Sequence, residues 1–516
     1  MHSAGFAAPP LQDAIELEAK ITPVVIIYSI MVASGGLVFG YDVGISGGVI
    51  SMQIFLEEFF PVGEERSQEA EMNNNYCRYV DQGMQIFTSS LFLTALISTF
   101  YASNTTRHRG RKTTMLIAGL LFLVGIILSA SARSLPMLIV GRIFLGSGVG
   151  FANQAVPLFI SEIAPSRIRG ALNILFQFDM TLGILFGDLT IFTTSKMEGE
   201  WGWRITLGLA GVPALLFTLG AILVDETPNS LIERGHLEEG KSVLRKIRGT
   251  DNIEPEYMAI LSASSISQKV EYPFEELLTG QNGAPLVIAI MIQVFQQFTG
   301  MNAILLYTPL LFKTLGYGSA ASLYSAIVTG VVNVVSALVP IYFVDQSGRR
   351  KLLLVGGVQM FVCQTIIAII LGLKVRDNSN TLSQGMAFTM VLLLCLFVSS
   401  FAWSWGPMGW LVPSEIFPLE TRSAGLSVTV CVNMMFTFLI SQSFPSMLCE
   451  MKFGIFLFFS GWVLVMSLFV YYLLPETKGV PIEEMNERVW KQHWFWSKFM
   501  EGEMEVYSAG CTHSEI

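Results

Sequence analysis

Ser161-Glu162-Ile163-Ala164-Pro165-Ser166-Arg167-Ile168-Arg169 and Ser414-Glu415-Ile416-Phe417-Pro418-Leu419-Glu420-Thr421-Arg422 share a Ser-Glu-Ile, a proline two residues on and an arginine four residues after it. Each follows an apolar stretch long enough to cross a hydrocarbon layer of about 30 Å as a helix rising about 1.5 Å per residue. Two further pairs repeat with them: Gly110-Arg111-Lys112 against Gly348-Arg349-Arg350, and Glu226-Thr227 against Glu476-Thr477. Three matches in one order, at nearly one separation, read as a duplicated unit. Parallel six-helix repeats about an axis normal to the membrane are one of the architectures membrane transporters use.

Composition agrees. The chain of 516 residues is 52% hydrophobic and only 14% charged, with a mean hydropathy of +0.55, against about 25% charged in soluble domains. Apolar segments begin near residues 22, 84, 113, 135, 170, 203, 285, 322, 351, 386, 423 and 454. The sequence therefore predicts an all-α membrane protein of twelve transmembrane helices, spans 1 to 12, in two six-helix halves, 22–226 and 285–478. Residues 227–284, with Glu238, Glu239, Lys241, Arg245 and Lys246 at helical spacing, are expected to form linker helices. Residues 1–21 and 479–516 are tails to which no function is assigned. No basic stretch leads into an apolar one in the first twenty residues, so the first span is expected to direct insertion itself.

Charge predicts sidedness. Arg107, Arg109, Arg111 and Lys112 follow span 2, Arg167 and Arg169 follow span 4, and Arg349, Arg350 and Lys351 follow span 8. By the positive-inside rule these loops, the linker and both tails are expected to be cytoplasmic. Glu57, Glu58, Glu64, Glu65, Glu69, Glu71 and Asp81, between spans 1 and 2, fall on the other side. The net charge of -9 argues against nucleic acid as a partner. There is no metal cluster, phosphate loop or nucleophile and base pairing, so neither enzyme chemistry nor a cofactor is expected.

Counting along each span places Gln177, Gln297, Asn333 and Asn433 near the middle third. Amides at that depth face a bundle interior or a wet cavity. Singly, each is as well read as interhelical glue. Four at one level suit a neutral, hydroxyl-rich solute. Asp42 and Arg142 match in depth near the outer ends of spans 1 and 4; such a pair is either a proton switch, made and broken with protonation, or a permanent structural ion pair. Asp179 and Asp188 in span 5 are additional intramembrane carboxylates without an evident partner. Gly300 reads equally as a point where span 7 unwinds and as a close helix contact. Arg111, Glu162, Arg169, Arg349, Glu415 and Arg422 are candidates for a cytoplasmic gate of ion pairs across the two halves.

These motifs, with Gln296-Gln297, Asn302 and Pro475-Glu476-Thr477-Lys478-Gly479, resemble the sugar porters of the major facilitator superfamily over about residues 20 to 480. Phe39-Gly40-Tyr41-Asp42, Trp403-Ser404-Trp405-Gly406-Pro407, Cys77 with Cys449, and Trp490-Lys491-Gln492-His493-Trp494-Phe495-Trp496 resemble the plant sugar transport proteins, which are proton and hexose symporters. The resemblance implies a hexose such as glucose and a proton as partners, and adds Phe39, Gln296, Asn302, Trp410 and Thr437 to the substrate contacts. It also implies that Asp42 is the proton carrier and that a Cys77 to Cys449 bridge ties a lid across the outer side. A plasma-membrane location and action as a monomer are expected. A facilitator without proton coupling, a polyol or inositol carrier and a non-transporting sugar sensor are the competing expectations.

Overall fold

A computed structural model describes residues 21–50, 52–60, 82–165, 168–197, 199–269, 273–278, 280–305, 319–375, 384–418, 421–478, 480 and 485–498. Twelve helices among them are long and apolar enough to cross a membrane: Pro23–Val49, Gln82–Arg109, Arg111–Ala130, Leu135–Ile163, Arg169–Thr194, Trp201–Leu223, Gly283–Leu305, Tyr324–Val344, Arg349–Leu373, Phe388–Ile416, Arg422–Met451 and Gly454–Leu473. These are spans 1 to 12, and their starts agree with the expected ones to within about two residues. The outward faces carry exposed Ile127, Leu219, Val358 and Leu464, on spans 3, 6, 9 and 12. A chain with so much apolar exterior is solvated by lipid.

Four spans are broken, each for a local reason; span 6 is interrupted at Leu209 and Ala210, between Trp201–Gly208 and Gly211–Leu223, where Pro213 has no N–H to return to the Leu209 carbonyl. Span 10 is interrupted at Ser404 between helices Gln384–Trp403 and Trp405–Ile416. Pro407 has no N–H to return to the Trp403 carbonyl, and its ring crowds that carbonyl. Span 7 stops at Phe298 and resumes at Met301, across Gly300 with φ +79°. A Cβ there would lie 2.7 Å from the Phe459 ring, so the unwound turn and the close contact are one feature. Span 8 bends at Leu338, where Val339–Ser347 begins with a proline in its first turn.

The three sequence repeats converge on one construction per half. Gly110 (φ +92°) and Gly348 (φ +83°) turn the chain into spans 3 and 9. At the first, the backbone N–H groups of Arg111 and Lys112 donate to Glu226; at the second, those of Arg349 and Arg350 donate to Glu476. A carboxylate thus satisfies the free N–H groups and the positive dipole of each helix start. Thr227 and Thr477 then donate to Glu162 (2.5 Å) and Glu415 (2.8 Å), which also hold Arg111 (2.7 Å) and Arg349 (2.8 Å). These groups define the basic end of the bundle. Glu226→Ala and Glu476→Ala are each expected to cost about 1–2 kcal/mol, in the range of a lost helix cap. The drop would be read in the melting temperature of detergent-purified protein, with Glu→Gln recovering part of it.

The linker is helical as expected, with Pro228–Glu233, Leu237–Arg248, Glu254–Lys269 and Pro273–Glu276. The linker is anchored to the first half. Glu233 pairs with Arg111 at 2.9 Å, Arg248 donates to the Ile163 carbonyl at 2.9 Å, and Thr22 donates to the Ile247 carbonyl. Asp225 accepts from Tyr28 and Lys246. Against the upward pull of partial burial, those hydrogen bonds hold its carboxyl below the ordinary value. Part of the C-terminal segment is packed against the bundle. Over 485–498 it packs beneath span 12, with Trp490 buried and the indoles of Trp494 and Trp496 donating to the Tyr472 and Leu473 carbonyls. Residues 1–20 and 499–516 lie outside the described residues.

Candidate functional site

Span 1 is apolar almost throughout, so Asp42 costs free energy unless it is paired. Span 4 supplies the partner. One Arg142 nitrogen, Nη1, donates to both Asp42 oxygens at 2.7 and 2.8 Å and to Ser46 Oγ at 3.1 Å. Both residues are buried, Arg142 completely. Its guanidinium stacks over the Phe87 ring at 4.1 Å, while its Nε and Nη2 have no hydrogen-bond partner. The pair is therefore held on one side only.

Above it, the short helix Gln53–Phe59 that follows span 1 folds back. Phe55 contacts Phe87 and Trp203, and the Trp203 indole donates to Glu58 at 3.0 Å. Partial burial and the neighbouring Glu200 push the Glu58 carboxyl up. Ser46, Phe55 and Phe87 were not anticipated from sequence. Ser46 stands four residues after Asp42, a spacing that places both on one helix face.

Below the pair, span 1 lies against span 5 with almost no gap. A Cβ on Gly40 would come within 1.9 Å of the Met180 carbonyl oxygen. Phe39, one residue earlier, is buried with its ring edge toward Phe92. This contact joins span 1, next to Asp42, to the helix that carries Gln177.

The amides of the second half bond to one another. Asn433 Nδ2 donates to Gln293 Oε1 (2.6 Å) and Gln296 Oε1 (2.9 Å). Gln296 Nε2 donates to the Trp405 and Gly406 carbonyls at 3.0 Å, beside the break in span 10. Gln293 donates to the Gly409 carbonyl, and Asn302 donates to Gln297 at 2.7 Å across the unwound turn of span 7. Thr437 back-bonds to the Asn433 carbonyl, and Asn333 is buried. Gln293 was missed, although Gln293, Gln296 and Gln297 stand at helical i, i+3, i+4 spacing.

Gln177 is not bonded to that group. It lines a narrow cavity with Asn173, Pro157, Pro407, Trp410 and Ser414, nearer the basic end. At the other end the halves close on each other: Gln85 donates to Ser446 (3.3 Å), Ser89 to Gln442 (2.5 Å) and Gln442 to Gln85 (3.3 Å), between spans 2 and 11.

One expectation changes. The basic-end pairs Arg111 with Glu162 and Arg349 with Glu415 each form inside one half, not across the two. The reason is the helix starts described above, which fix each arginine beside the Glu of its own half. Arg169 and Arg422 begin spans 5 and 11. Asp179 and Asp188 form no ion pair or hydrogen bond among the described residues; Asp188 lies against Gly330 of span 8, where a Cβ would sit 3.2 Å from its carboxylate. Cys363, Cys395 and Cys431 are buried free thiols; Cys449 is not among the free cysteines, and Cys77 lies outside the described residues.

A buried carboxylate–guanidinium pair in one half and a group of buried amides in the other, within two repeated halves, fit a solute carrier. Comparison with known proteins agrees. Residues 28–489 match the model of the family described as "Sugar (and other) transporter". The chain is 63% identical over 502 residues to Sugar transport protein 13 of Arabidopsis thaliana, covering 97% of this chain and 95% of that one. It is 64% identical over 489 residues to Sugar transport protein MST4 of Oryza sativa subsp. japonica, covering 95% of each. A solved structure of the major facilitator superfamily proton:xylose symporter XylE, bound to 6-bromo-6-deoxy-D-glucose, superposes with a TM-score of 0.78 at 26% identity, over 91% of this chain and 99% of that one. The chain is a multi-pass membrane protein of the sugar transporter family, with the major facilitator fold.

Proposed function

We propose that this protein carries a monosaccharide, a hexose such as glucose, together with a proton by alternating access of its two halves. The observation that carries the reading is the one-sided Asp42–Arg142 contact, completely buried and joined through Gly40 to the helix bearing Gln177. Protonated Asp42 loses its charge and releases Arg142, whose remaining contacts are Ser46 and the Phe87 ring. Span 1 is then free to shift, and span 5 moves with it. Proton occupancy is thereby linked to the geometry of the sugar site, as coupling requires.

In this reading the sugar hydroxyls are met by Gln177, Gln296, Gln297, Asn302, Asn333, Asn433 and Thr437, with Phe39 and Trp410 against the ring. Amides suit a neutral polyol because each offers a donor and an acceptor without charge. Arg111, Glu162, Arg169, Arg349, Glu415 and Arg422 brace the basic end of each half. A ligand-dependent change there reaches the linker through Glu233. The arginine-rich end and both tails are cytoplasmic, the protein acts as a monomer in the plasma membrane, and Cys449 is bridged to Cys77 across the outer face. The absence of Cys449 from the free thiols supports that bridge.

The test is uptake of labelled glucose into yeast lacking its own hexose carriers, at acidic and neutral external pH, with and without a protonophore. Symport predicts uptake that rises in acid and collapses with the protonophore, since the proton is a co-substrate. Uptake indifferent to both would make the protein a facilitator. No uptake of any hexose would point to a polyol carrier or a sensor.

A further inference from the structure

The break in span 7 leaves a backbone carbonyl outside both of its helical pieces. The helix beyond the break opens with Ile304 donating to the Gly300 carbonyl at 2.9 Å, and the Gly300 N–H donates to the Gln297 carbonyl at 3.1 Å. The Thr299 carbonyl falls between these two ladders. Gln364 of span 9 supplies its donor, with Nε2 at 2.8 Å from that oxygen. The Gln364 side chain is completely buried, and its Oε1 has no hydrogen-bond partner. A half-satisfied amide is costly inside a membrane bundle, and an apolar side chain of the same length would fill the space without an orphaned oxygen. What glutamine adds at this position is one N–H aimed at the unwound turn.

Span 12 holds the same turn from another side. The Phe459 ring lies against Gly300, and Phe298, the last helical residue before the break, stacks on Trp462 with ring centroids 4.5 Å apart. A 2.8 Å hydrogen bond between the hydroxyls of Thr365 and Ser460 joins the residue after Gln364 to the residue after Phe459. Spans 9 and 12 therefore grip the turn as one cradle. Two residues assigned above to the sugar flank it: Gln297 precedes it, Asn302 follows it, and they are bonded across it at 2.7 Å. The bent span 7 coexists with contact of the halves between spans 2 and 11, where Ser89 donates to Gln442 at 2.5 Å.

We propose that Gln364 is a positioning residue for gating: its bond to the Thr299 carbonyl stabilises the unwound turn of span 7, and with it the arrangement in which the halves meet between spans 2 and 11. A straightened span 7 would take the Thr299 carbonyl back into its own ladder, through the Ala303 N–H, and leave Gln364 without a partner. The bond thus counts in one arrangement only, which is what lets one residue bias the equilibrium between two. The inference rests on the two arrangements that the proposed alternating access requires, and adds to them a residue outside the sugar contacts.

Labelling of a Ser89→Cys variant by a water-soluble thiol reagent, in detergent-purified protein without sugar, tests it. Ser89 is buried while the halves meet, so the labelling rate follows the fraction of molecules open there, and the chain without that substitution gives the background. Adding Gln364→Met, close in length but without the N–H, is expected to raise the rate about tenfold, the scale of one hydrogen bond. Gly300→Ala should raise it as well, since a Cβ there meets Phe459 and a φ of +79° is unfavourable for alanine. The double variant should not exceed the larger single effect, because a turn already lost has no Thr299 bond left to lose. Gln364→Leu, which also lacks the donor, replaces Gln364→Met should that variant not fold. An unchanged rate with a lowered melting temperature would make Gln364 a packing residue and overturn the inference, as would effects that add. Wild-type protein that carries no glucose would end the transport reading and leave the labelling rates to decide this one.

Discussion

Cells expressing Asp42→Asn should take up labelled glucose only to its equilibrium level, while vesicles loaded with unlabelled glucose still exchange it. With one proton per sugar, a pH difference of about two units alone, without a membrane potential, supports a ~100-fold gradient, and a potential negative inside adds to it. All of that is lost if Asp42 is the titrating group. Exchange survives because asparagine is close in shape to the neutral acid and its carbonyl can still accept from Arg142 Nη1, now at 2.7 Å from the carboxylate. Removing the charge leaves the buried guanidinium with neutral partners only, the asparagine carbonyl, Ser46 and the Phe87 ring. Breaking a buried pair from one side commonly costs about 3–5 kcal/mol. The variant should therefore melt lower, by less than Arg142→Leu does, because the latter leaves a bare carboxylate with no donor. Wild-type accumulation in Asp42→Asn would remove Asp42 from the coupling mechanism. Loss of exchange along with accumulation would make the pair a structural strut.

That the pair forms at all was legible in the sequence, because depth is additive along a helix and two opposite charges at one depth in lipid have little else to bind. The same additivity placed all twelve spans, and the repeats identified the halves. Partner choice was harder to read. Arg111 and Arg349 each have several carboxylates within reach in sequence terms, and the helix starts at Gly110 and Gly348 select among them by backbone geometry that residue spacing does not encode. Glu226 and Glu476 look like loop acids until the helix they cap is in place. Depth alone also put Gln177 with the second-half amides, whereas the structure puts it beside Asn173 and Trp410. Rotation of a span about its axis decides which residues meet, and rotation follows from packing such as Gly40 on Met180 rather than from hydropathy. Nor does spacing show that the indoles of Trp494 and Trp496 donate to the carbonyls at the end of span 12.

The largest loss on the sugar side should come from Gln296→Ala. Gln296 makes three hydrogen bonds, to the Trp405 and Gly406 carbonyls and from Asn433. It thereby ties spans 7 and 11 to span 10 just past its break at Ser404, where Pro407 has already removed a backbone hydrogen bond. Its truncation removes a donor shared by two carbonyls and an acceptor from Asn433, each unsatisfied buried group costing about 1–3 kcal/mol. Asn433 keeps Gln293 as an acceptor and is not stranded. If Gln296 also meets a sugar hydroxyl, glucose half-saturation should rise by about two orders of magnitude, beyond what the altered fold explains. Asn302→Ala separates the two contributions. Asn302 donates to Gln297 within the same span, so its removal breaks no contact between spans and should lower the melting temperature less than Gln296→Ala does, while raising half-saturation by about tenfold. If instead Gln296→Ala lowers the melting temperature and Asn302→Ala alters neither quantity, the amides are glue between helices. The sugar would then be held by Gln177 and Trp410, on the cavity side of the protein.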